Sequence, residues 1–261
     1  MKCTITNNPQ AEEVLIVSES NDVFAYNIDT QISRPFGVIK TNFYIFGCER
    51  VDNDFFVFGK KDMNSSADSD EDKIFGIDKF SLESRKTKFC YTRSYPTNFY
   101  SCSAKVNNEI MVFGQNREDN YDASSGMTMY DLREGLWTTL PTSIIGLDYC
   151  AVCQYNNTGI MKAGGQIEVF DERFGVNINE TNSGCEIFDT RANSWRRTSD
   201  LPIPIQNAKC CQIKETVVLF GGQNDEEILQ DIHTYNIAEE TWTRNDSELC
   251  NIEDLHSVHL I

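Results

Sequence analysis

Lys162-Ala163-Gly164-Gly165 is followed by Phe188-Asp189 and then by Trp195, and Val217-Val218-Leu219-Phe220-Gly221-Gly222 by Tyr235-Asn236 and Trp242. A third copy opens at Met111-Val112-Phe113-Gly114 and continues with Tyr130-Asp131 and Trp137. The interval from aromatic to tryptophan is seven residues in all three. Unrelated sequence does not hold a three-part register of this kind, so the chain is read first as an internal repeat.

Each unit reads as four short strands. An inner segment comes first (Asn98 to Val106, or Ile205 to Ile213), then an apolar run ending in glycine. A variable loop leads to the strand carrying the aromatic, and a tight turn at Asp or Asn leads to the tryptophan strand. The β-branched and aromatic content favours strands, and Asp or Asn suits the turn by bonding its own backbone. Two degenerate copies precede these. Phe56-Val57-Phe58-Gly59 leads to Phe80 with Thr87 in the tryptophan position, and Leu15-Ile16-Val17-Ser18 leads to Tyr26 with Ser33. Anchors at 18, 59, 114, 164 and 221 are 41, 55, 50 and 57 residues apart. No Trp-Asp or Gly-His dipeptide accompanies them, which argues against a WD-type repeat.

The glycine doublet, the aromatic-Asp pair and the tryptophan together resemble the Kelch repeat, from about Val14 to Ile261. The resemblance implies an all-β fold, a Kelch-type β-propeller of four-stranded antiparallel blades. Five blades are expected, with six left open by the degenerate first hundred residues. Residues 1–13 are read as an N-terminal extension and 14–261 as the propeller. Leu255 to Ile261, with Asp254 before it, aligns with the inner segments and is expected to close the ring onto the first blade; Lys2 to Thr6 competes for that place. Glu12-Glu13-Val14-Leu15-Ile16-Val17 resembles the start of the propeller in Kelch-like proteins, which carry BTB and BACK domains upstream; no such region is found here.

The formal net charge is −17. A surface that acidic repels nucleic acid and anionic membranes and attracts basic partners. The first fourteen residues show no apolar leader pattern, and no apolar run approaches the length of a membrane-spanning helix. Six of ten cysteines, Cys48, Cys102, Cys150, Cys153, Cys210 and Cys211, fall on expected inner strands, where small buried side chains suit the crowded axis. They are read as reduced thiols in a cytoplasmic protein, with no metal and no cofactor: Cys150 and Cys153 make the only C-x-x-C spacing and have no partner pair.

Antiparallel order puts the loop after the glycine doublet and the loop entering the inner strand on one face, where function concentrates. The variable loops there are Glu19 to Asp22, Lys60 to Lys73, Gln115 to Met127, Gln166 to Gly184 and Gln223 to Asp231. They interleave acidic residues with Tyr121, Phe170 and Phe174, a pattern that suits a basic, partly apolar peptide or protein patch. A second ring of candidates stands at the inner-strand entrances: Tyr44, Asn98, Tyr100, Asp148, Tyr149, Gln206, Asn207, Asp254 and His256. In Kelch-like proteins this ring commonly carries Arg, Ser, Asn and Tyr. Here Asp, Gln and aromatics replace Arg, so a taste for acidic peptides is not expected.

The resemblance implies a protein-interaction domain, most concretely one that recognises substrates for a cullin-RING ubiquitin ligase through regions outside this chain. A stand-alone scaffold for actin or other partners is an alternative, and a small-molecule isomerase or mutarotase at the axial pocket another. No catalytic residue is assigned. His233, His256 and His259 are the only histidines, and the last two are three apart on one strand and point to opposite faces, which excludes a copper centre of the kind some Kelch-type oxidases carry.

Overall fold

The computed structural model describes residues 13–18, 22–27, 30, 32–41, 44–62, 73–91, 99–107, 109–115, 125–131, 133–248 and 255–260. They form five antiparallel sheets of four strands. The first holds β1 (Glu13–Ser18), β2 (Asp22–Asn27) and β3 (Ile32–Val38). The second runs through β4 (Tyr44–Val51), β5 (Asp54–Asp62), β6 (Lys73–Ser81) and β7 (Thr87–Tyr91). The third is β8 (Phe99–Val106), β9 (Glu109–Gln115), β10 (Ser125–Asp131) and β11 (Leu136–Leu140). The fourth is β12 (Ala151–Tyr155), β13 (Gly159–Asp171), β14 (Val176–Asp189) and β15 (Ser194–Arg197). The fifth is β16 (Lys209–Ile213), β17 (Thr216–Phe220), β18 (Asp231–Asn236) and β19 (Thr241–Glu248). The last strand, β20 (Leu255–Leu260), returns to the first sheet and pairs with β1 from Val14↔Leu260 to Ser18↔Leu255.

Each inner strand touches the next, β4 to β8 to β12 to β16 to β20 and back to β4. The sheets are therefore blades round an axis. Five blades, closed by the C-terminal strand, are what the repeat spacing predicts; Lys2 to Thr6, the competing segment, lies outside the described residues.

A blade is apolar on both faces and is stable only when stacked on its neighbours. Each of the five interfaces holds one apolar cluster. Leu15 and Val17 meet Phe55, Val57 and Phe80 between blades one and two. Phe58 and Ile77 meet Ile110 and Val112 between two and three. Ala104 and Met111 meet Ile160 and Phe188 between three and four. Met161 and Ile187 meet Val217, Leu219 and Tyr235 between four and five, and Val218 and Phe220 meet Val14 and Ile16 across the closure.

The repeat signature now has physical reasons. The carboxylate of Asp189 accepts the N–H groups of Arg191 and Ala192, and Asp131 and Asn236 do the same for the two turns of their own blades. Each turn sets the following strand so that the tryptophan lies against the aromatic: Tyr130–Trp137 at 4.8 Å, Phe188–Trp195 at 5.2 Å and Tyr235–Trp242 at 5.1 Å between ring centres. The indole N–H of Trp195 donates to the Pro141 carbonyl at 3.0 Å, and that of Trp242 to Ser199 at 3.2 Å, so each ties its blade to the end of the one before. The glycine doublets sit at close backbone contacts, Gly164 and Gly165 against the start of blade five and Gly222 against Gln206 of its own blade. Gly164 and Gly165 have φ of +63° and +117°, and the Gly165 N–H donates to the Ile205 carbonyl at 2.8 Å.

One fully buried charge pair departs from this apolar pattern. Lys162 on β13 lies opposite Glu186 on β14. The Lys162 ammonium donates to Ser143 Oγ at 2.9 Å and to the Ile145 carbonyl at 3.0 Å, while Glu186 Oε1 accepts the Ile145 N–H at 2.7 Å. Together they fasten the linker between blades three and four. Burial raises the Glu186 pKa and the Lys162 charge holds it back. His233 occupies the register of Glu186 in blade five and is fully buried on β18.

Two segments differ from the sequence expectation. Gln166 to Gly184, read as a variable loop, is mostly an extended hairpin. The β13–β14 ladder continues past the rest of the blade, from Gly165↔Asn182 to Asp171↔Val176. Its strands alternate apolar and polar residues, Ile167-Glu168-Val169 against Val176-Asn177-Ile178, a period that favours extension. The inner segment expected from Ile205 becomes regular strand only at Lys209, because Asn207 turns with φ of 58°.

Candidate functional site

Both ends of the propeller axis carry candidates. At one end the inner strands begin. Asp148 bridges to Gln166 through paired backbone bonds of 3.0 and 2.7 Å, and Gln206 to Gln223 through bonds of 2.8 and 2.9 Å. These bridges place the strand entrances and the β13–β14 hairpin on one face, as antiparallel order requires. Tyr149 and Asn207 both adopt left-handed backbone, φ 54° and 58°, and the Asn207 N–H donates to the Tyr149 carbonyl at 2.8 Å. Two consecutive blades thus share one kinked entrance.

Within the expected ring, Asp148 and Tyr149 are half-buried and Asn207 is exposed. Gln206 is buried, its amide 3.4 Å from Thr181 Oγ1. Tyr44, Tyr100 and His256 fall on β4, β8 and β20, and only their backbone is described. Asn98, Tyr121 and Asp254 lie outside the described residues.

The extended hairpin stands beside this ring. Phe170 is 60% exposed and Phe174 76%, and Val176 and Ile178 are exposed with them. Thr181 Oγ1 donates to Asp225 Oδ1 at 2.5 Å, joining the hairpin to the blade-five loop that carries Ile228, itself 70% exposed. Glu168, Asp171, Glu172, Glu180, Asp225, Glu226 and Glu227 surround these apolar groups, and Arg173, 3.5 Å from Asp171, is the one cation within Gln166–Asn182 and Gln223–Gln230. The surface is apolar with an acidic rim.

At the other end lies the axial pocket, whose polar lining sequence reasoning did not locate. The inner strands enclose an axial cavity of ≈ 540 Å³. Its mouth is set by exposed residues at the inner-strand turns: Asp52, Asn156, Asn157 and Lys214. All six cysteines expected on the inner strands line it, alongside Glu49, Ser103, Lys105 and Lys209. Glu49 is buried, and its Oε1 accepts the Ser103 hydroxyl at 2.7 Å. Burial pushes its pKa up to about 7, against the pull of the Ser103 and Lys105 hydrogen bonds. The only sequence signal for this site was the alternation of the inner strands, which cannot say how wide the ring leaves its axis. No group of three or more metal-ligating side chains comes together among the described residues.

The Glu49 shift carries a sign. The folded state holds the proton more tightly than the unfolded one, so stability falls as pH rises from the ordinary glutamate range towards 7. A displacement from 4.5 to about 7 corresponds to a loss of roughly 3 kcal/mol. Glu49→Gln retains an acceptor for Ser103 and removes the titration. Urea midpoints at about pH 5 and about pH 8 are expected to show the variant gaining on the wild type at the higher pH. A constant difference between the two would remove Glu49 as the cause.

Five four-stranded blades, glycine doublets at close backbone contacts and a tryptophan stacked on the aromatic of each complete unit define a Kelch-type β-propeller. A family model described as the KLHDC2/KLHL20/DRC7 Kelch-repeats domain matches residues 38–253, and the chain belongs to this family. Among solved structures, one titled "Structure of YjhT" is similar with a TM-score of 0.61 at 11% identity, over 86% of this chain and 75% of that chain. At that identity the likeness concerns the fold.

Proposed function

We propose that this propeller is a non-enzymatic protein-binding domain whose loop face takes a basic, partly apolar segment of a partner, and that it serves substrate recognition for a cullin-RING ubiquitin ligase in the cytoplasm. Membership of a Kelch-repeat family supports a protein-interaction role. The observation that carries the reading is the β13–β14 hairpin. A two-stranded ribbon is marginally stable by itself in water, and this one projects Phe170 and Phe174 into solvent inside an acidic rim. Exposed aromatics ringed by charge are the usual anatomy of a contact surface. Tyr149, Asp148 and Asn207 extend the same surface towards the axis. A stand-alone scaffold for actin or another partner uses the same face and differs only in what the rest of the assembly supplies.

Phe170→Ser with Phe174→Ser is expected to weaken binding to a partner captured by the wild type by roughly tenfold or more, with no change in the unfolding midpoint. Binding is also expected to weaken with added salt, since the rim acts through screened charge. Fluorescence anisotropy of the captured partner's peptide measures both; undiminished affinity in a folded double variant would sink the hairpin as the contact.

The axial cavity favours a second reading, a small-molecule isomerase or mutarotase. Glu49, with a pKa of about 7, has the range of a general acid–base group, and the Lys105 backbone N–H holds its carboxylate. Turnover of a sugar library that is lost in Glu49→Gln supports it.

A further inference from the structure

Cys102 on β8 and Cys150 at the start of β12 belong to neighbouring blades, yet their Sγ atoms are 3.6 Å apart across the cavity wall. They are 48 residues apart in sequence. Cys102 is partly exposed, and both line the cavity that opens to solvent past Asn156, Asn157 and Lys214. A disulfide needs a sulfur separation of ~2.05 Å, so ~1.5 Å must be closed, which side-chain rotation can supply. We propose that Cys102 and Cys150 are a reversible redox site: hydroperoxides entering the axial cavity convert the two thiols to a disulfide that staples blade three to blade four.

The chemistry balances. The Cys150 thiolate attacks the peroxide, an S–O bond forms, the O–O bond breaks, and the leaving oxygen departs with a proton as water or an alcohol. The Cys102 thiol then attacks the Cys150 sulfur. The S–S bond forms, the S–O bond breaks, and hydroxide leaves with the Cys102 proton as water. Two thiols and one hydroperoxide give one disulfide, one water and one water or alcohol. A dithiol reductant reverses the state by thiol–disulfide exchange.

The surroundings suit these roles. The hydrogen bond between the two sulfurs lowers the Cys150 pKa, with the charges of Lys162 and Lys209 acting in the same direction against burial. Cys102 is pushed up by the same hydrogen bond and by burial, and waits as the thiol that resolves the intermediate. Susceptibility to oxidation follows thiolate character and access; Cys150 is itself buried, so a peroxide reaches it through the cavity that it lines beside the partly exposed Cys102. Cys153 and Cys210 make a second contact between blades four and five, in which Cys210 is likewise pushed well up, by burial first and then by Cys153.

The test uses the whole protein. It is treated with hydrogen peroxide, its remaining thiols are blocked with N-ethylmaleimide, and it is digested without reductant for mass spectrometry. The expected result is a dominant cross-linked peptide pair joining Cys102 to Cys150, separated by dithiothreitol. In Cys102→Ser, Cys150 is expected to stop as a sulfenic acid trapped by a cyclic dione. Wild-type protein in which both cysteines still alkylate after peroxide overturns the proposal, as does a dominant cross-link elsewhere, such as Cys153 to Cys210. The wild-type map decides this even if the variant does not fold.

Discussion

Deleting residues 252–261 is expected to abolish cooperative folding. The deletion removes β20, whose backbone fills the inner position of blade one and pairs with β1 from Val14 to Ser18. It also removes the strand that touches both β16 and β4, so the ring opens at the axis. Val14, Leu15, Ile16 and Val17 are at most 1% exposed in the closed ring. Full exposure of such a side chain costs roughly 1.5–3 kcal/mol, so partial exposure of four amounts to several kcal/mol, before the lost ladder bonds are added. A domain of this kind has roughly 5–15 kcal/mol in all. The freed edge of β1 is apolar and prone to pair with other chains. Urea titration followed by circular dichroism should show no single transition, and size exclusion should show aggregates. A single transition at the wild-type midpoint would mean that the C-terminal strand is dispensable. Val258→Pro is the milder form of the experiment: it removes one ladder donor opposite Ile16 and should lower the midpoint without abolishing the transition.

Gly164→Ala and Gly165→Ala are expected to be the most damaging single-methyl changes in blade four. A Cβ at Gly164 would lie 2.2 Å from the Ile205 carbonyl oxygen, and one at Gly165 2.4 Å from that of Asp148. Both obstacles are backbone and neither can swing aside: the Ile205 carbonyl is held by the Gly165 N–H that docks blade five on blade four, and the Asp148 carbonyl by the Gln166 N–H within blade four. The left-handed backbone adds ~1–2 kcal/mol for any residue with a side chain, and forced overpacking adds ~1–3 kcal/mol, so each change should cost about 3 kcal/mol or more. Gly175 supplies the control. It has φ of +66°, but a Cβ there meets nothing within 4 Å. Gly175→Ala should therefore cost only ~1 kcal/mol, the conformational part alone. Equal losses at positions 164 and 175 would remove the contact with blade five from the explanation.

These glycines also explain why blades three to five were legible in the sequence and blades one and two less so. A doublet with positive φ at a backbone contact admits almost no substitute, so it recurs as a visible mark at 164–165 and 221–222. Blade one carries Ser18 at that place and meets the register change with a bulge between Val17 and Ser18. In the tryptophan position it has Ser33 on β3, and blade two has Thr87 on β7, so the stack that gives the seven-residue interval is missing from both. The ring closure was legible because β20 has the length and alternation of an inner strand. The β13–β14 hairpin was not, because its acidic residues gave Gln166 to Gly184 the composition of a solvated loop while the alternation of Ile167, Val169, Val176 and Ile178 set the structure. Phe170 and Phe174 were legible as exposed aromatics. The axial pocket and its cysteines were expected, but its polar lining was not, since Glu49, Ser103 and Lys209 converge only once five inner strands are set round one axis.

The stacking of Trp137, Trp195 and Trp242 has a consequence for how unfolding of this protein is seen. The chain has three tryptophans, and they stand on β11, β15 and β19, the outer strands of blades three, four and five. The intrinsic emission of the molecule is thus a half-ring signal. Opening at the junction of blades one and two would leave every indole stacked on its own aromatic and pass unseen in a fluorescence melt, while the far-ultraviolet dichroism, to which all twenty strands contribute, would already have fallen. A gap between the two curves would locate the first break in the ring without a single label.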